Sequence, residues 1–187
     1  MIEVEIKVKV ENKTLLERIL QEQGFTKGDL TKESDIYFNS EFYNLKEKDM
    51  AFRIRTYENM TSQKRKHVIT YKGPKMDHIS MTRKELETEV EDANTVREIL
   101  TSIGYYPVHP VIKNRQYFHN SQMTACLDEV QSLGDFLELE MMVSDDEEKE
   151  NALEHVIDIL KNLGYGKEDI IRTSYLSMLQ RKEELCF

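Results

Sequence analysis

The chain has 187 residues, a length that suits one domain, and its 35 acidic and 26 basic residues give a formal net charge of −9 at pH 7. This balance argues against broad nucleic-acid binding, which needs a basic field over the protein surface. No stretch approaches 18 consecutive apolar residues, so we expect no membrane-spanning segment and no membrane partner.

Cellular location and domain number follow from a few local features. The first residues, Met1 to Glu5, carry acids where a secretory signal peptide has a basic region and an apolar stretch. The two cysteines, Cys126 and Cys186, have no metal-binding spacing and form no disulfide framework. We therefore expect a cytoplasmic protein. No low-complexity linker divides the chain, which predicts a single domain over residues 1–187.

The first predicted strand, residues 2–10, alternates between apolar and charged side chains. Because side chains alternate across a strand, the apolar residues share one face and the charged residues share the other. The charged set is Glu3, Glu5, Lys7 and Lys9. Taken alone, this pattern indicates an ordinary half-buried strand with a solvated charged face.

Four helices are predicted from apolar residues spaced three and four apart. The predicted ranges are about 12–24, 92–104, 144–164 and 168–184. Asn12 is a candidate N-cap of the first helix, and Ser144 with Glu147 three residues later predicts a capping box at the third. Each of the first three helices follows an alternating strand and ends at a glycine, which suggests two related halves that close on each other.

The alternation of the first strand recurs along the chain, and recurrence changes its interpretation. It is found around residues 52–55, 83–90, 112–115 and 137–141. If these strands close into a barrel with helices on its apolar outside, the charged faces line the interior and acids and bases satisfy one another. The prediction is an α+β fold with a closed or nearly closed antiparallel β-barrel that forms a polar tunnel. This arrangement explains why only 39% of the residues are hydrophobic while 33% are charged.

A tunnel of this kind has a chemical use. Carboxylates on adjacent strands supply hard oxygen ligands for Mg²⁺ or Mn²⁺. Lysines and arginines supply charges and forked donors for phosphate oxygens. Together they fit a metal-bridged triphosphate, because phosphoryl chemistry depends mainly on positioning and charge neutralisation. The pattern alone leaves the substrate class open.

An ordered series of motifs resembles the CYTH superfamily, the triphosphate tunnel metalloenzymes. Its N-terminal Glu-x-Glu-x-Lys is present as Glu3-Val4-Glu5-Ile6-Lys7. The further motifs, in family order, are 35–38 (DIYF), 53–55 (RIR), 70–74 (TYKGP), 83–87 (RKELE), 113–115 (KNR), 127–130 (LDEV) and 133–140 (LGDFLELE). The resemblance covers nearly the whole chain and implies a barrel of about eight strands with helices packed outside.

The resemblance also implies roles for individual residues. The implied ligands of Mg²⁺ or Mn²⁺ are Glu3, Glu5, Glu138 and Glu140. The implied triphosphate contacts are Lys7, Arg53, Arg55, Lys72, Arg83, Lys113 and Arg115, among which Lys7, Lys72, Lys113 and Arg115 are the candidate catalytic residues. The resemblance leaves Glu85, Glu87 and Asp128 open between a second metal and a role in orienting the bases.

Within the superfamily the chain is most similar to the class IV adenylate cyclase-like branch. The similarity lies in segments 127–130, 133–138 and 172–175, and Ile6 departs from the Glu-x-Glu-Arg-Lys start of tripolyphosphatases and thiamine triphosphatases. The His-Phe pair of some cyclases is missing. The implied reaction is conversion of ATP to cyclic AMP and pyrophosphate. The alternatives are a triphosphatase acting on tripolyphosphate, thiamine triphosphate or a nucleotide, and a non-catalytic binding module. A homodimer is a further expectation.

The clustered bases lead to one expectation about stability. Without a polyanion, Lys72, Lys113, Arg115, Arg53 and Arg55 should repel one another and be only partly balanced by the acids. Replacing Arg115 by alanine is then expected to leave the ligand-free protein equally stable or slightly more stable.

Overall fold

The computed structural model describes residues 1–185, so Cys186 lies outside the described residues. Its strands are β1 (Ile2–Lys9), β2 (Thr26–Ser40), β3 (Ala51–Asn59), β4 (Arg65–Lys75), β5 (Arg83–Val90), β6 (Tyr105–Pro107), β7 (Val111–His119), β8 (Thr124–Val130) and β9 (Gly134–Val143). Its α-helices are α1 (Lys13–Glu22), α2 (Ala93–Ser102), α3 (Asp146–Asn162) and α4 (Tyr175–Glu184), and a 3₁₀ turn spans Lys167–Asp169.

Eight of the strands form a closed antiparallel barrel, as predicted. The strand order is β3-β4-β5-β1-β9-β8-β7-β2, and pairing between β2 and β3 closes the ring. The short β6 pairs with the end of β2. The strand ladder between β1 and β5 is short and joins Ile2 to Lys84 and Glu3 to Arg83. The backbone N–H of Met81 extends that contact by donating to the Glu5 carbonyl at 2.9 Å.

The barrel directs the charged face of β1 inward. Its apolar residues Val4, Ile6 and Val8 are fully buried and share a core with buried residues of α1 and α3. Each such aliphatic side chain contributes about 1.5–3 kcal/mol to stability by its removal from water. On the opposite face Lys7 is only 2% exposed and Glu5 only 7%. The interpretation of β1 as a strand with a solvated charged face is therefore wrong, because the barrel encloses that face.

The remaining helices cover other parts of the barrel. The α2 residue Leu100 packs on Phe38 and Ile54 of β2 and β3. Tyr175 and Leu179 of α4 pack on residues of β7, β8 and β9. Within residues 1–185, no helix has both the length and the apolar character needed to cross a lipid bilayer.

The predicted helix boundaries hold at the first two helices and need correction at the last two. Asn12 caps α1, since its side chain accepts from the Leu15 N–H at 3.0 Å. The third helix is capped by Asp145 and not by Ser144, because the Asp145 carboxylate accepts from two N–H groups of the first turn. The final helix begins at Tyr175 and not near Glu168. After the 3₁₀ turn, residues 170–174 form no regular helix or strand, and the Ile171 N–H donates to the Lys7 carbonyl at 2.8 Å.

Candidate active site

The barrel encloses a cavity of about 400 Å³, and the predicted site residues converge on it. Thirteen of the fourteen residues line it: Glu3, Glu5, Lys7, Arg53, Arg55, Lys72, Arg83, Glu85, Glu87, Lys113, Arg115, Glu138 and Glu140. Asp128 is the exception. It is buried behind the lining and holds two of the lining bases. The strand register explains the convergence, since residues paired across neighbouring strands point to the same face.

Arg115 is the centre of one charged network. Its guanidinium donates to both oxygens of Asp128, each at 2.6 Å, and to Glu140 at 3.0 Å, and it also contacts Glu138. Lys113 donates to the same Asp128 at 2.8 Å. Asp128 therefore accepts hydrogen bonds from two of the lining bases while lying outside the cavity lining.

Glu33 and Asp35 of β2 form a second network that the sequence analysis did not assign to the site. Arg55 donates to both oxygens of Asp35, at 2.6 and 2.7 Å, and lies 2.9 Å from Glu33. Burial alone would raise the pKa of Glu33, but the charges of Arg55 and Lys113 hold it well below its usual range. The available signal was spacing, because Glu33 and Asp35 alternate with Ser34 and lead into the 35–38 motif.

Lys72 is the centre of a third group of charges. Its ammonium lies 2.8 Å from Glu3 and 4.0 Å from Glu5, and it contacts Glu85. Burial would raise the pKa of Glu3, but Lys72 lowers it to about 2. Burial and the neighbouring Glu3 raise the pKa of Glu85 to about 9. Glu3 and Glu85 share one ammonium, which cannot balance two carboxylates, so ionisation of one carboxyl group disfavours ionisation of the other.

Carboxylates also crowd where β1 meets β9. Glu5 lies directly opposite Glu140 across the two strands, and Lys7 lies opposite Glu138. The Lys7 ammonium is 3.1 Å from Glu138 but 3.6 Å from Glu5. Burial and the charge of Glu138 raise the pKa of Glu5, and burial raises the pKa of Glu140 to about 7 despite the opposing charge of Arg115. Negative charge at this point is only partly balanced by the protein.

The crowded acids meet two of the requirements of a divalent cation, which are oxygen ligands and negative charge. The acids offer hard carboxylate oxygens, and like charges directly opposite each other across two strands are unfavourable without a cation. Within residues 1–185, however, no three candidate ligands stand in an arrangement that already holds a metal. The donor chemistry and the unbalanced charge thus fit Mg²⁺ or Mn²⁺, while the ligands are not preassembled around one point.

Arg83 and Glu87 occupy more peripheral positions. The Arg83 guanidinium donates to the backbone carbonyls of Asp49 at 2.6 Å and Gly73 at 2.9 Å, and to the Asp49 carboxylate at 3.2 Å. Glu87 accepts from the Thr70 hydroxyl at 2.6 Å, and its side chain is 43% exposed. Arg83 therefore anchors the loop before β3 to β5 while it lines the cavity.

The five bases repel one another, as expected, but they are not left unbalanced. Each of the five bases has a carboxylate within 4 Å. The pairs are Lys72 with Glu3, Lys113 and Arg115 with Asp128, and Arg53 and Arg55 with Asp35. Asp35 lies directly opposite Arg55 on the neighbouring strand, and Asp128 lies directly opposite Arg115. The expectation of only partial balance was wrong for Arg53 and Arg55 because Glu33 and Asp35 had not been counted among the acids of the interior.

The segment before α4 is a further part of the site without a predicted role. Arg172, Thr173, Ser174 and Tyr175 all line the cavity. Arg172 donates to the carbonyls of Asp77 at 2.8 Å and Ser80 at 3.3 Å. These residues had been noted only as a family motif, since nothing in their spacing indicated that a C-terminal segment would return to β1.

Comparison with known proteins gives consistent matches along the chain. A family model described as the CYTH domain matches residues 1–175. A protein of Methanocaldococcus jannaschii named "Putative adenylate cyclase" is 41% identical over 178 residues, which span 95% of this chain and 98% of that protein. A solved Pyrococcus horikoshii protein has a TM-score of 0.88 at 32% identity and covers 96% of this chain and 99% of its own. A Hippeastrum protein described as having a dominant triphosphatase activity shares the fold, with a TM-score of 0.62 at 17% identity and 96% coverage of both chains.

Proposed function

The chain belongs to the CYTH family, and from this premise we propose that it is a metal-dependent phosphotransfer enzyme that acts on a triphosphate inside its barrel. The observation that carries the proposal is the convergence of buried bases and buried acids on one cavity of about 400 Å³. A cavity of this size and charge suits an elongated polyanion accompanied by a cation.

The acids at the junction of β1 and β9 would hold the metal. Glu3, Glu5, Glu138 and Glu140 supply the oxygens, and Glu5 and Glu140 are the two whose charges the protein balances least. A bound Mg²⁺ or Mn²⁺ would neutralise phosphate oxygens and polarise the reacting phosphorus. Binding it would also lower the pKa of both carboxyl groups, since a cation favours their ionised forms.

The bases would bind the phosphate chain. Lys7, Lys72, Lys113, Arg53, Arg55 and Arg115 are all buried or largely buried and are held by carboxylates at defined positions. Donors that are fixed before the substrate arrives stabilise developing negative charge without reorganising, which is the largest contribution in many enzymes. The carboxylates thus orient the bases, and a triphosphate completes their coordination from the cavity side.

Among phosphotransfer reactions we favour cyclisation of ATP. The ribose 3′-oxygen would attack the α-phosphorus, the bond from that phosphorus to the bridging oxygen would break, and pyrophosphate would leave while the hydroxyl proton passes to a base. Support comes from the 41% identical relative named as an adenylate cyclase and from apolar residues in the cavity wall, Leu45, Met50, Val108 and Leu176, which suit a nucleoside.

Hydrolysis of a triphosphate is the alternative. The same bases and metal ligands would serve a water molecule attacking the terminal phosphorus. The triphosphatase activity described for the Hippeastrum protein of the same fold supports hydrolysis as the alternative. The two reactions differ in which phosphorus is attacked, and therefore in their products.

Product analysis tests the proposal and separates the two reactions. The protein is incubated with ATP and with tripolyphosphate in Mg²⁺ or Mn²⁺, and cyclic AMP, ADP, pyrophosphate and phosphate are resolved. Cyclic AMP and pyrophosphate in equal amounts support cyclisation, whereas ADP and phosphate support the triphosphatase. The matched control is Arg65→Ala, since Arg65 lies in an exposed ion pair away from the cavity. No metal-dependent turnover of either substrate would refute the proposal.

A further inference from the structure

Tyr175, the first residue of α4, contacts three of the charged side chains of the barrel interior. Its hydroxyl donates to Asp128 at 3.0 Å. The ammonium of Lys7 lies 4.2 Å from the centre of its ring, and that of Lys113 lies 5.2 Å from the same centre. The residue is 7% exposed, and Phe136 packs edge-on against its ring with centres 5.1 Å apart. The ring thus packs against Phe136 and lies close to two ammonium groups.

An aromatic ring holds a cation in a way that a carboxylate does not. The negative face of the ring attracts an ammonium group, and the attraction is strongest where water is excluded. Glu138 and Asp128 already pair with Lys7 and Lys113, and the uncharged ring contacts both ammonium groups without adding to this negative charge. A further carboxylate at the same place would also hold the ammonium groups but would repel the polyanion.

We propose that Tyr175 is a positioning residue for triphosphate binding, whose ring holds Lys7 and Lys113 at the cavity without adding a further negative charge beside them. The inference rests on the proposed function, since it concerns binding of the same substrate. It assigns a role to the 172–175 segment beyond closing the fold: α4 delivers an aromatic face to two bases that come from β1 and β7. The hydroxyl has the separate task of fixing Asp128 behind them.

The test distinguishes the attraction of the ring face for cations from the packing of the side chain. Tyr175→Phe removes only the hydroxyl. Phenylalanines carrying one, two or three fluorine atoms are then incorporated at position 175, because fluorination keeps the ring shape and progressively weakens its negative face. The dissociation constant of tripolyphosphate is measured by calorimetry without metal, and KM and kcat are measured with Mn²⁺. Unfolding temperatures are recorded for each variant.

We expect Tyr175→Phe to bind tripolyphosphate within about threefold of wild type, and trifluorination to weaken binding by roughly tenfold, which lies within what the weakening of two buried cation–π contacts allows. KM should rise in step with fluorination, and the unfolding temperature should fall less than it does in a variant of α4 that loses packing. Affinity that does not change across the fluorinated series would overturn the proposal.

A matched control distinguishes positioning from packing of α4. Leu179→Ala alters a residue of the same helix and the same apolar cluster that has no charged group to position. It should lower the unfolding temperature and leave the affinity unchanged. If it weakens binding as much as trifluorination does, undocking of the helix explains the loss and the proposal is wrong. If the wild-type protein binds no tripolyphosphate, the proposed function fails and the role of Tyr175 fails with it. If the wild-type protein binds and the affinity does not change across the fluorinated variants, only the role of Tyr175 fails.

Discussion

Replacing Arg115 by alanine should destabilise the ligand-free protein strongly. The residue is 4% exposed, and its guanidinium contacts Asp128, Glu138 and Glu140. Its loss removes the basic partner of Glu140 and leaves Asp128 with Lys113 and Glu138 with Lys7. Removing one partner of a buried ion pair costs about 3–5 kcal/mol, because the remaining charge stays buried and uncompensated. This result is opposite to the expectation drawn from the sequence, where the bases were thought to repel one another.

The size of the effect can be measured by thermal unfolding in metal-free buffer. For a chain of this length each kcal/mol corresponds to roughly 2–4 °C, so the unfolding temperature should fall on the order of 10 °C. The control is Arg65→Ala, which removes an arginine from a pair with Glu58 whose arginine side chain is 64% exposed. An exposed pair of this kind contributes less than about 1 kcal/mol. The reasoning is refuted if Arg115→Ala unfolds within about 2 °C of wild type, because the acids would then not depend on Arg115 for their charge balance.

Two further outcomes are expected. The pKa of Glu140 is raised to about 7 from an ordinary 4.5, so the folded state holds this proton more tightly than the unfolded state and stability should fall as pH rises between those values. Unfolding temperatures from pH 5 to 8 without metal should therefore decline, and the raised pKa of Glu85, about 9, adds to the decline. A Glu140→Gln variant should decline less steeply than wild type, and an equally steep decline would contradict the contribution of Glu140. Tripolyphosphate with Mn²⁺ at a hundredfold excess over its dissociation constant should add about 2.7 kcal/mol of stability. Sulfate is the control anion. An unfolding temperature that tripolyphosphate with Mn²⁺ does not raise above its value in sulfate would argue against binding.

The barrel and most of its lining could be predicted because one local rule governs them. Period-two alternation assigns each strand residue to one face, and the apolar face of β1 had to be covered by helices. In a closed barrel, the inward direction of Glu3, Glu5 and Lys7 followed from their alternate positions along β1. The same rule placed Arg53 with Arg55 and Lys113 with Arg115.

What could not be predicted depends on contacts between distant segments. Glu33 shares a face of β2 with Asp35, which the alternation predicts. Its role depends, however, on contacts with Arg55 from β3 and Lys113 from β7 in the folded barrel. The return of residues 171–175 to β1 is likewise a tertiary contact, made through the Ile171 N–H and the Tyr175 ring. The start of α4 was misplaced for the same reason, since the Ile171 N–H bonds to the Lys7 carbonyl and is not available to a helix.

The most direct test of the account is a paired measurement of activity and stability on Glu5→Gln. Glu5 lies opposite Glu140 and is poorly balanced by Lys7 and Lys72, so removing its charge relieves repulsion in the ligand-free protein. As a proposed metal ligand, however, it should be needed for turnover. We predict an unfolding temperature equal to or above that of wild type, together with a loss of metal-dependent triphosphate turnover of about a hundredfold or more. A variant that retains full turnover, or one that loses turnover only in proportion to a loss of stability, would contradict a metal-dependent triphosphate site in the barrel.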